Sequence, residues 1–488
     1  MKLSKKATYG ILIGMSFLYF IVLIVFCDMK SLWSDDLAQM EIALQPSIGK
    51  FFSKCIALDN NPPLSHLLSA VWIRLVPYGC GWLKLLNIIL VTGGILVCGI
   101  VAWDLMGQFA GVISAGLLIA NMGLVTLAAY TFRPYGLVFF LSAWMLWIYE
   151  RNRRMAGEKF EAGYFLVMLL GVYTHYFMVL ICVGFFIADL ILVVKRRTQI
   201  QILFSYPAAA LGVLPWLLAV VRGSLERLQN FWPEKPDIMM LISSMIELDG
   251  GKTILLIVGV CNLILMGSLF WDCFHRQNED KKTAIWFLLT MLPVSLIGGI
   301  YLLSRYSSQF TSLFVTRYFV CVLPELYVAA GCGAAILIKK LPDISLKKSI
   351  YHLSECFAIA IVLGLMIGSG YRIYTHEKIV EQPFREIADY LMIQSDIQNE
   401  NVLVFHTSFE RNYSWEYFVN HKSERENSID NVWYQLEDND LKGKNKVYIS
   451  ILHNELDETT LKLLQKEGYE KTEAVESLPV LIFEKKIV

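Results

Sequence analysis

Runs of about twenty apolar residues recur through the first three quarters of the chain and then stop. A helix rising about 1.5 Å per residue needs that length to cross a hydrocarbon core about 30 Å thick. The runs place candidate spans near 8–27, 82–104, 109–129, 133–149, 160–174, 176–194, 200–221, 253–273, 284–303, 313–338 and 351–371, eleven in all. The two between 160 and 194 are short, and the polar YTHY between them predicts tilting or a break. Residues 28–80 are too polar and proline-interrupted to cross, but FFSKCIAL and PPLSHLLSAVWIRLV are amphipathic enough to form two helices lying along the interface.

From about residue 372 charges become frequent and the apolar runs shorten to strand length. NVLVFH (401–406), KVYISIL (446–452) and PVLIFE (479–484) read as buried strands, with FREIADYLMI and DETTLKLLQKEG as amphipathic helices. Asp457 is placed to cap the second helix and Gly468 to end it. The pattern thus predicts an α-helical polytopic membrane domain over 1–371, with its first outer loop at 28–80, and a small soluble α/β domain over 372–488. About 115 residues are enough for that second part to hold its own core.

Composition agrees: of 488 residues 56% are hydrophobic and 18% charged, against about 25% charged in a soluble domain. Net charge is zero, so only its distribution informs. MKLSKK at the start and the loops ERNRRMAGEK, KRR, FHRQNEDKK and KKLPDISLKK fall on one side, with DLMGQ the only uncharged-by-lysine turn there. The positive-inside rule puts that side in the cytoplasm and the C-terminal domain outside the cell membrane. The first run is too long for a signal segment and lacks a small-residue cleavage site, so it reads as a retained anchor. About seven of the ten cysteines, Cys98, Cys182 and Cys321 among them, fall in spans and act as small hydrophobes; Cys55 and Cys80 in the outer loop allow at most one bridge. Gly-rich phosphate loops, HExxH and CxxC are absent, and nucleic acid is not an expected partner. DND at 438–440 reads as a turn, and NYS at 412–414 matters only in a eukaryotic secretory compartment.

This topology gathers the unusual polar residues on the outer face. Asp35 and Asp36 stand in SLWSDDLAQ, and Asp59, Asn61 and His66 in LDNNPPLSH. Arg133 and Tyr135 begin the fourth span, His175 and Tyr176 form the turn of YTHYF, and Arg305 and Arg317 flank the start of the tenth. Singly, each has an ordinary reading: solvated acids at a helix end, snorkelling arginines, a histidine satisfied at a turn. Together they point to chemistry, because charges near a bilayer persist mostly where they bind something or line a cavity. Arginines neutralise a lipid phosphate, and a nearby carboxylate takes the proton of an attacking hydroxyl. That pairing describes transfer of a group from a lipid phosphate to an alcohol.

SLWSDDLAQ, DNNPPLSHLLSAVW, RPYG, YTHYF and TRYFVCVLPEL, in that order and over residues 8–340, resemble the bacterial branch of the C-type-fold membrane glycosyltransferases. These are family 39-like relatives of the protein O-mannosyltransferases and of the aminoarabinose transferase that modifies lipid A. The resemblance implies a polyprenyl-phosphate sugar donor among the membrane lipids and an acceptor hydroxyl on protein, glycan or lipid. It implies Asp35 as inverting base, Asp36 as a neighbour orienting the acceptor or a divalent metal held with Asp35, and Asp59 as the acid before Pro62 and Pro63. Arg133, Arg305 and Arg317 become donor-phosphate contacts, and Asn61, His66, Tyr135, His175 and Tyr176 line the cavity. Asp36 stands where the family commonly has Glu, and Asn61 where it has His, which leaves metal use and acceptor geometry open. A flippase of lipid-linked saccharides would instead need charges along a path near the midplane, and a glycan polymerase or ligase its largest outer loop between later spans.

Overall fold

The apolar runs become helices wherever the computed structural model describes them. It describes residues 5–486 except 60, 78, 155–161, 197, 230–232, 276–279, 308–311, 341–363, 379–381, 398, 408–430, 434, 452–455 and 476–477. In chain order the helices are α1 (Lys5–Phe26), α2 (Ser34–Ala43), α3 (Ile48–Leu58), α4 (Leu64–Leu75), α5 (Cys80–Met106), α6 (Gln108–Ala120), α7 (Met122–Leu124) and α8 (Tyr135–Arg154). They continue as α9 (Ala162–Thr174), α10 (Phe177–Val194), α11 (Ser205–Gln229), α12 (Ile238–Leu248), α13 (Lys252–His275), α14 (Asp280–Tyr306) and α15 (Leu323–Lys340). Among the described residues seven are long and apolar enough to cross a membrane, or eight if α6 and α7 count as one bent span. The expected eleven is higher for physical reasons. α8 ends in the polar ERNRR, α9 has only 13 residues and stops at the YTHY break, and most of 351–371 lies outside the described residues.

The single span expected at 109–129 is bent by 62°. Asn121 breaks it: its side chain accepts from the Leu124 amide at 3.0 Å and donates to the Tyr327 hydroxyl at 2.8 Å, which in turn reaches Asp249 at 2.7 Å. Arg372 takes the freed carbonyl of Ala120 at 3.1 Å. The chain then passes through a π-helical turn, Val125–Ala129, and leaves Thr126, Leu127, Tyr130 and Thr131 facing a cavity. One insertion of polar side chains thus redirects an apolar helix toward a polar site.

α15 runs through the centre, with 78% of its span buried. Without a hydrophobic drive between helices in lipid, close backbone approach supplies the contact. Gly331 lies against the Ala110 carbonyl and Ser114 of α6, and Gly333 against the Cys261 carbonyl of α13. A Cβ at either would overlap those backbone atoms.

Residues 28–80 hold three helices instead of two, the unexpected one being α2. Asp35 and Asp36 occupy its first turn, where carboxylates meet the free amides and positive dipole end. Beyond a helix through residues 364–377, the C-terminal part forms a five-stranded sheet of order β2-β1-β3-β5-β4, from β1 (Val402–His406), β2 (Asn431–Trp433), β3 (Lys446–Ser450), β4 (Tyr469–Ala474) and β5 (Val480–Lys485). β2, β1 and β3 are parallel, while β5 runs antiparallel to β3 and β4. The three expected strands and both helices are present. Asp457 caps Glu458–Lys466 through the Thr460 amide at 2.8 Å, and Gly468 follows with φ 83°. β4 was unreadable because only Tyr469 of its six residues is buried. Asp438, Asn439 and Asp440 do lie in a turn, whereas 412–414 falls outside the described residues.

The sheet and Phe384–Ile393 share one apolar cluster with Leu32, Leu37 and Ile73 of residues 28–80 and with Phe132, just before α8. Arg385 clasps the α1–α2 link, donating to the Asp28 carbonyl at 2.9 Å, while Gln382 accepts from the Ser34 amide at 2.9 Å. Cys55 and Cys80 are free thiols buried in different clusters, so the optional bridge does not form.

Replacing Gly333 by Ala is expected to lower the melting temperature in detergent, with overpacking costing about 1–3 kcal/mol. Gly298→Ala, in α14 with open space around it, is expected to be neutral or mildly stabilising.

Candidate functional site

The two adjacent acids of α2 face different sides, since successive residues of a helix project about 100° apart. Asp36 points inward and is 1% exposed; its Oδ1 accepts from the Phe132 amide at 2.7 Å and its Oδ2 from the Trp33 amide at 3.1 Å. Burial pushes its carboxyl up to about 6, against those two amides, which favour the charged form. Asp35 points outward, half-buried, with Oδ2 2.8 Å from Arg317 Nη1. Of the pair, Asp35 is available to a ligand and Asp36 ties the loop together.

Asp59 follows the end of α3 and meets Arg133 at the mouth of α8. Arg133 Nη1 donates to Asp59 Oδ2 at 2.9 Å and to the Asp35 carbonyl at 3.3 Å, and both side chains of the ion pair are 10% exposed. Asn61 donates its amide and side-chain N–H to Asp59 Oδ1, each at 3.0 Å. His66 Nε2 sits 3.3 Å from Asp59 Oδ2 without hydrogen-bond alignment. Burial alone would raise this carboxyl, but the Arg133 guanidinium and His66 hold it well below the usual carboxylate range. The backbone of Arg133 is fixed too, because Asn87 Nδ2 donates to its carbonyl at 2.8 Å and to that of Thr131 at 2.6 Å.

Arg317 lies on the 3₁₀ turn Thr316–Val322 that leads into α15, with its guanidinium 5.8 Å from the Tyr135 ring centre. His175 packs behind, 4.8 Å from the Tyr318 ring and 5.9 Å from that of Tyr135. Its Nδ1 accepts from the Phe177 amide at 3.2 Å, and burial pushes it down to about 3, so it remains neutral.

These groups border a cavity of about 790 Å³. Of the expected site residues, Asp35, Asp36, Arg133, Tyr135 and Arg317 line it. Asp59, Asn61 and His66 form the layer behind Arg133, and His175 the layer behind Tyr135. Tyr176 turns away to accept from Trp216 Nε1 at 3.2 Å, and Arg305 is exposed at the end of α14, outside the lining. Asp36, with both oxygens taken by amides, is poorly placed to share a divalent metal with Asp35. Among the described residues no three His, Cys, Asp or Glu side chains gather as a metal site. Arg133 Nε and Arg317 Nε are buried and have no acceptor among the described residues. Both guanidiniums therefore keep donors to offer an anion.

Sequence reasoning missed several lining residues. Lys84 lies near the start of α5 and Glu377 at the end of the helix through 364–377; Ser244 and Glu247 belong to α12. The signals were present: a lone lysine in GWLKLLN beside an apolar run, and a helix start at Asp237, which caps the Met240 amide at 2.7 Å, with a stop at Gly250, φ 67°.

No model of a known protein family matches the sequence, and no curated protein sequence does. The fold does match solved structures. ArnT from Cupriavidus metallidurans bound to undecaprenyl phosphate is 13% identical over 98% of both chains, with a TM-score of 0.59. The same protein in the apo state is 12% identical over 98% of both chains, with a TM-score of 0.60. The Archaeoglobus fulgidus oligosaccharyltransferase tethered to an acceptor peptide is 9% identical over 91% of this chain and 69% of that one, with a TM-score of 0.51. The C-type fold expected from the resemblance is therefore the fold of this chain.

Removing the Asp59 carboxylate leaves Arg133 buried and uncompensated. Asp59→Ala is expected to destabilise by about 3–5 kcal/mol, whereas Asp35→Ala, losing a pair with 39% and 24% exposed partners, is expected to cost at most about 1 kcal/mol. Because Asp59 titrates below its ordinary value, its contribution is present at neutral pH and is lost as pH falls below about 4. Melting curves of both variants in detergent across pH 3–7 check this order and this sign.

Proposed function

For a chain with the C-type fold of membrane glycosyltransferases, we propose transfer of a sugar from a polyprenyl phosphate to an acceptor hydroxyl at the extracytoplasmic face, with inversion. The observation that carries the reading is the cavity itself. An outward carboxylate, Asp35, stands 2.8 Å from Arg317, beside Arg133, and both arginines line the same cavity with N–H donors that no described residue uses. The undecaprenyl phosphate bound to ArnT is a ligand of the right chemistry for such a site. Residues 1–371 form the transferring part, with the N-terminus cytoplasmic, and residues 372–488 lie outside.

The chemistry follows from competition for one cation. Arg317 Nη1 occupies Asp35 Oδ2 and competes with an acceptor for it. A donor phosphate entering the cavity takes guanidinium N–H groups of Arg317 and Arg133 by charge-assisted hydrogen bonds. Asp35 is then freed toward the acceptor. The acceptor oxygen attacks C1 of the sugar from the face opposite the phosphate, the C1–O bond to phosphate breaks, and the acceptor proton passes to Asp35. Negative charge collects on the leaving phosphate, where fixed arginines stabilise it more than they stabilise the bound donor. A carboxylate is a weak base for an alcohol, so the proton moves late, when the C1–O bond is largely broken. Tyr135 and His175 hold Arg317 in place through ring contacts.

Asp35→Asn in proteoliposomes with an undecaprenyl-phosphate sugar is expected to lose about 10²–10⁴-fold in transfer while melting close to wild type. A fully active Asp35→Asn protein sinks the base assignment. Translocation of the lipid with no sugar transferred would make the protein a flippase.

A further inference from the structure

The same cavity is lined by polar groups that the transfer step leaves idle. Lys84 and Glu377 both line it, and they are 2% and 3% exposed. The end of α1 links the two: its Phe26 ring lies 6.0 Å from that of Tyr374 on the helix of Glu377, and Lys84 binds the chain just beyond, at Cys27 and Lys30. Lys84 Nζ donates to those two carbonyls at 3.0 and 2.8 Å, which accounts for two of its three N–H groups. Glu377 Oε1 is 3.1 Å from His376 Nδ1, while Oε2 is buried and has no partner among the described residues. The Tyr130 ring, 5.7 Å from Lys84 Nζ, forms an apolar wall, with its own hydroxyl turned away to the Leu23 carbonyl at 2.7 Å.

A buried oxygen without a hydrogen bond is costly, and natural structures keep few of them except where a ligand completes the set. Here a residue with a spare donor and one with a spare acceptor line the same cavity. The cavity volume, about 790 Å³, is within the range that encloses a whole small ligand, roughly 300–1,000 Å³. It therefore has room for a sugar as well as its phosphate.

We infer that Lys84 and Glu377 form a carbohydrate subsite that takes two hydroxyls of the donor's sugar, Lys84 donating to one oxygen and Glu377 Oε2 accepting from the other O–H. This rests on the transferase reading, because the sugar reaches the subsite only if Arg317 and Arg133 hold the phosphate. The pairing suits a sugar with free hydroxyls. A sugar blocked at these hydroxyls would leave Oε2 unmet.

The test measures binding of bare undecaprenyl phosphate, and of undecaprenyl phosphates each carrying one neutral hexose, to the purified full-length protein in detergent. Variants are Glu377→Gln, which keeps the side chain's size, Glu377→Leu, and Arg317→Ala. Each Glu377 variant is expected to weaken the best-bound hexose lipid by about tenfold or more and to leave bare undecaprenyl phosphate unchanged, while Arg317→Ala weakens both. Glu377 variants that bind the hexose lipid like wild type, or that lose both lipids equally, overturn the subsite, as does a wild type with no preference for any hexose lipid over the bare carrier. In those cases the transferase reading stands as long as Arg317→Ala still weakens the carrier. A wild type that binds no polyprenyl phosphate at all overturns the reading itself, and the subsite with it.

Discussion

The buried pair between Arg133 and Asp59 is the constraint on which the site's geometry rests. Each side chain is 10% exposed, so neither charge has enough water to stand alone, and each holds the other in place. Arg133 also binds the Asp35 carbonyl, and the next amide toward the N-terminus, that of Phe132, is taken by Asp36. A five-residue connection between a π-helical turn and α8 is thereby pinned to α2 and to the segment after α3. With Asp36 spent on that task, its neighbour can face outward and hold only the more accessible Arg317.

The cavity's charges are therefore of two kinds. Asp36 and Asp59 are structural acids whose partners are fixed by the fold, and their removal disturbs the wall. Asp35 and Arg317 form the more accessible pair, 39% and 24% exposed.

Much of this arrangement was legible in the sequence because it depends on period and order. Twenty-residue apolar runs fixed the helices, and alternating short runs with Asp457 and Gly468 placed the outer strands and helices. The motif order put Asp35, Arg133 and Arg317 on one face, where they do meet. What could not be read depended on orientation. Two adjacent aspartates look alike as letters, and only the first turn of α2 separates an inward from an outward one. Arg305 and Arg317 are equally plausible beside an outer loop, but α14 ends with Arg305 in the open while a 3₁₀ turn brings Arg317 inside. The bend at Asn121 comes from contacts with Tyr327 and Arg372, more than 200 positions away, which no local pattern carries. α12 and Lys84 were legible but short, and apolar neighbours masked them.

The apolar cluster shared by the sheet and the outer loop has a consequence for how the molecule is put together. Leu32, Leu37 and Phe132 belong to the segments that carry Asp35, Asp36 and Arg133, and their covering comes from residues such as Phe384, Leu391 and Val404, translated hundreds of residues later. During synthesis the membrane helices bearing the charged pocket exist before the module that shields its outer wall. Until that module arrives, the wall offers bare hydrocarbon to water, a sticky surface of the kind that invites association. The wall of the cavity is therefore finished last, by the end of the chain.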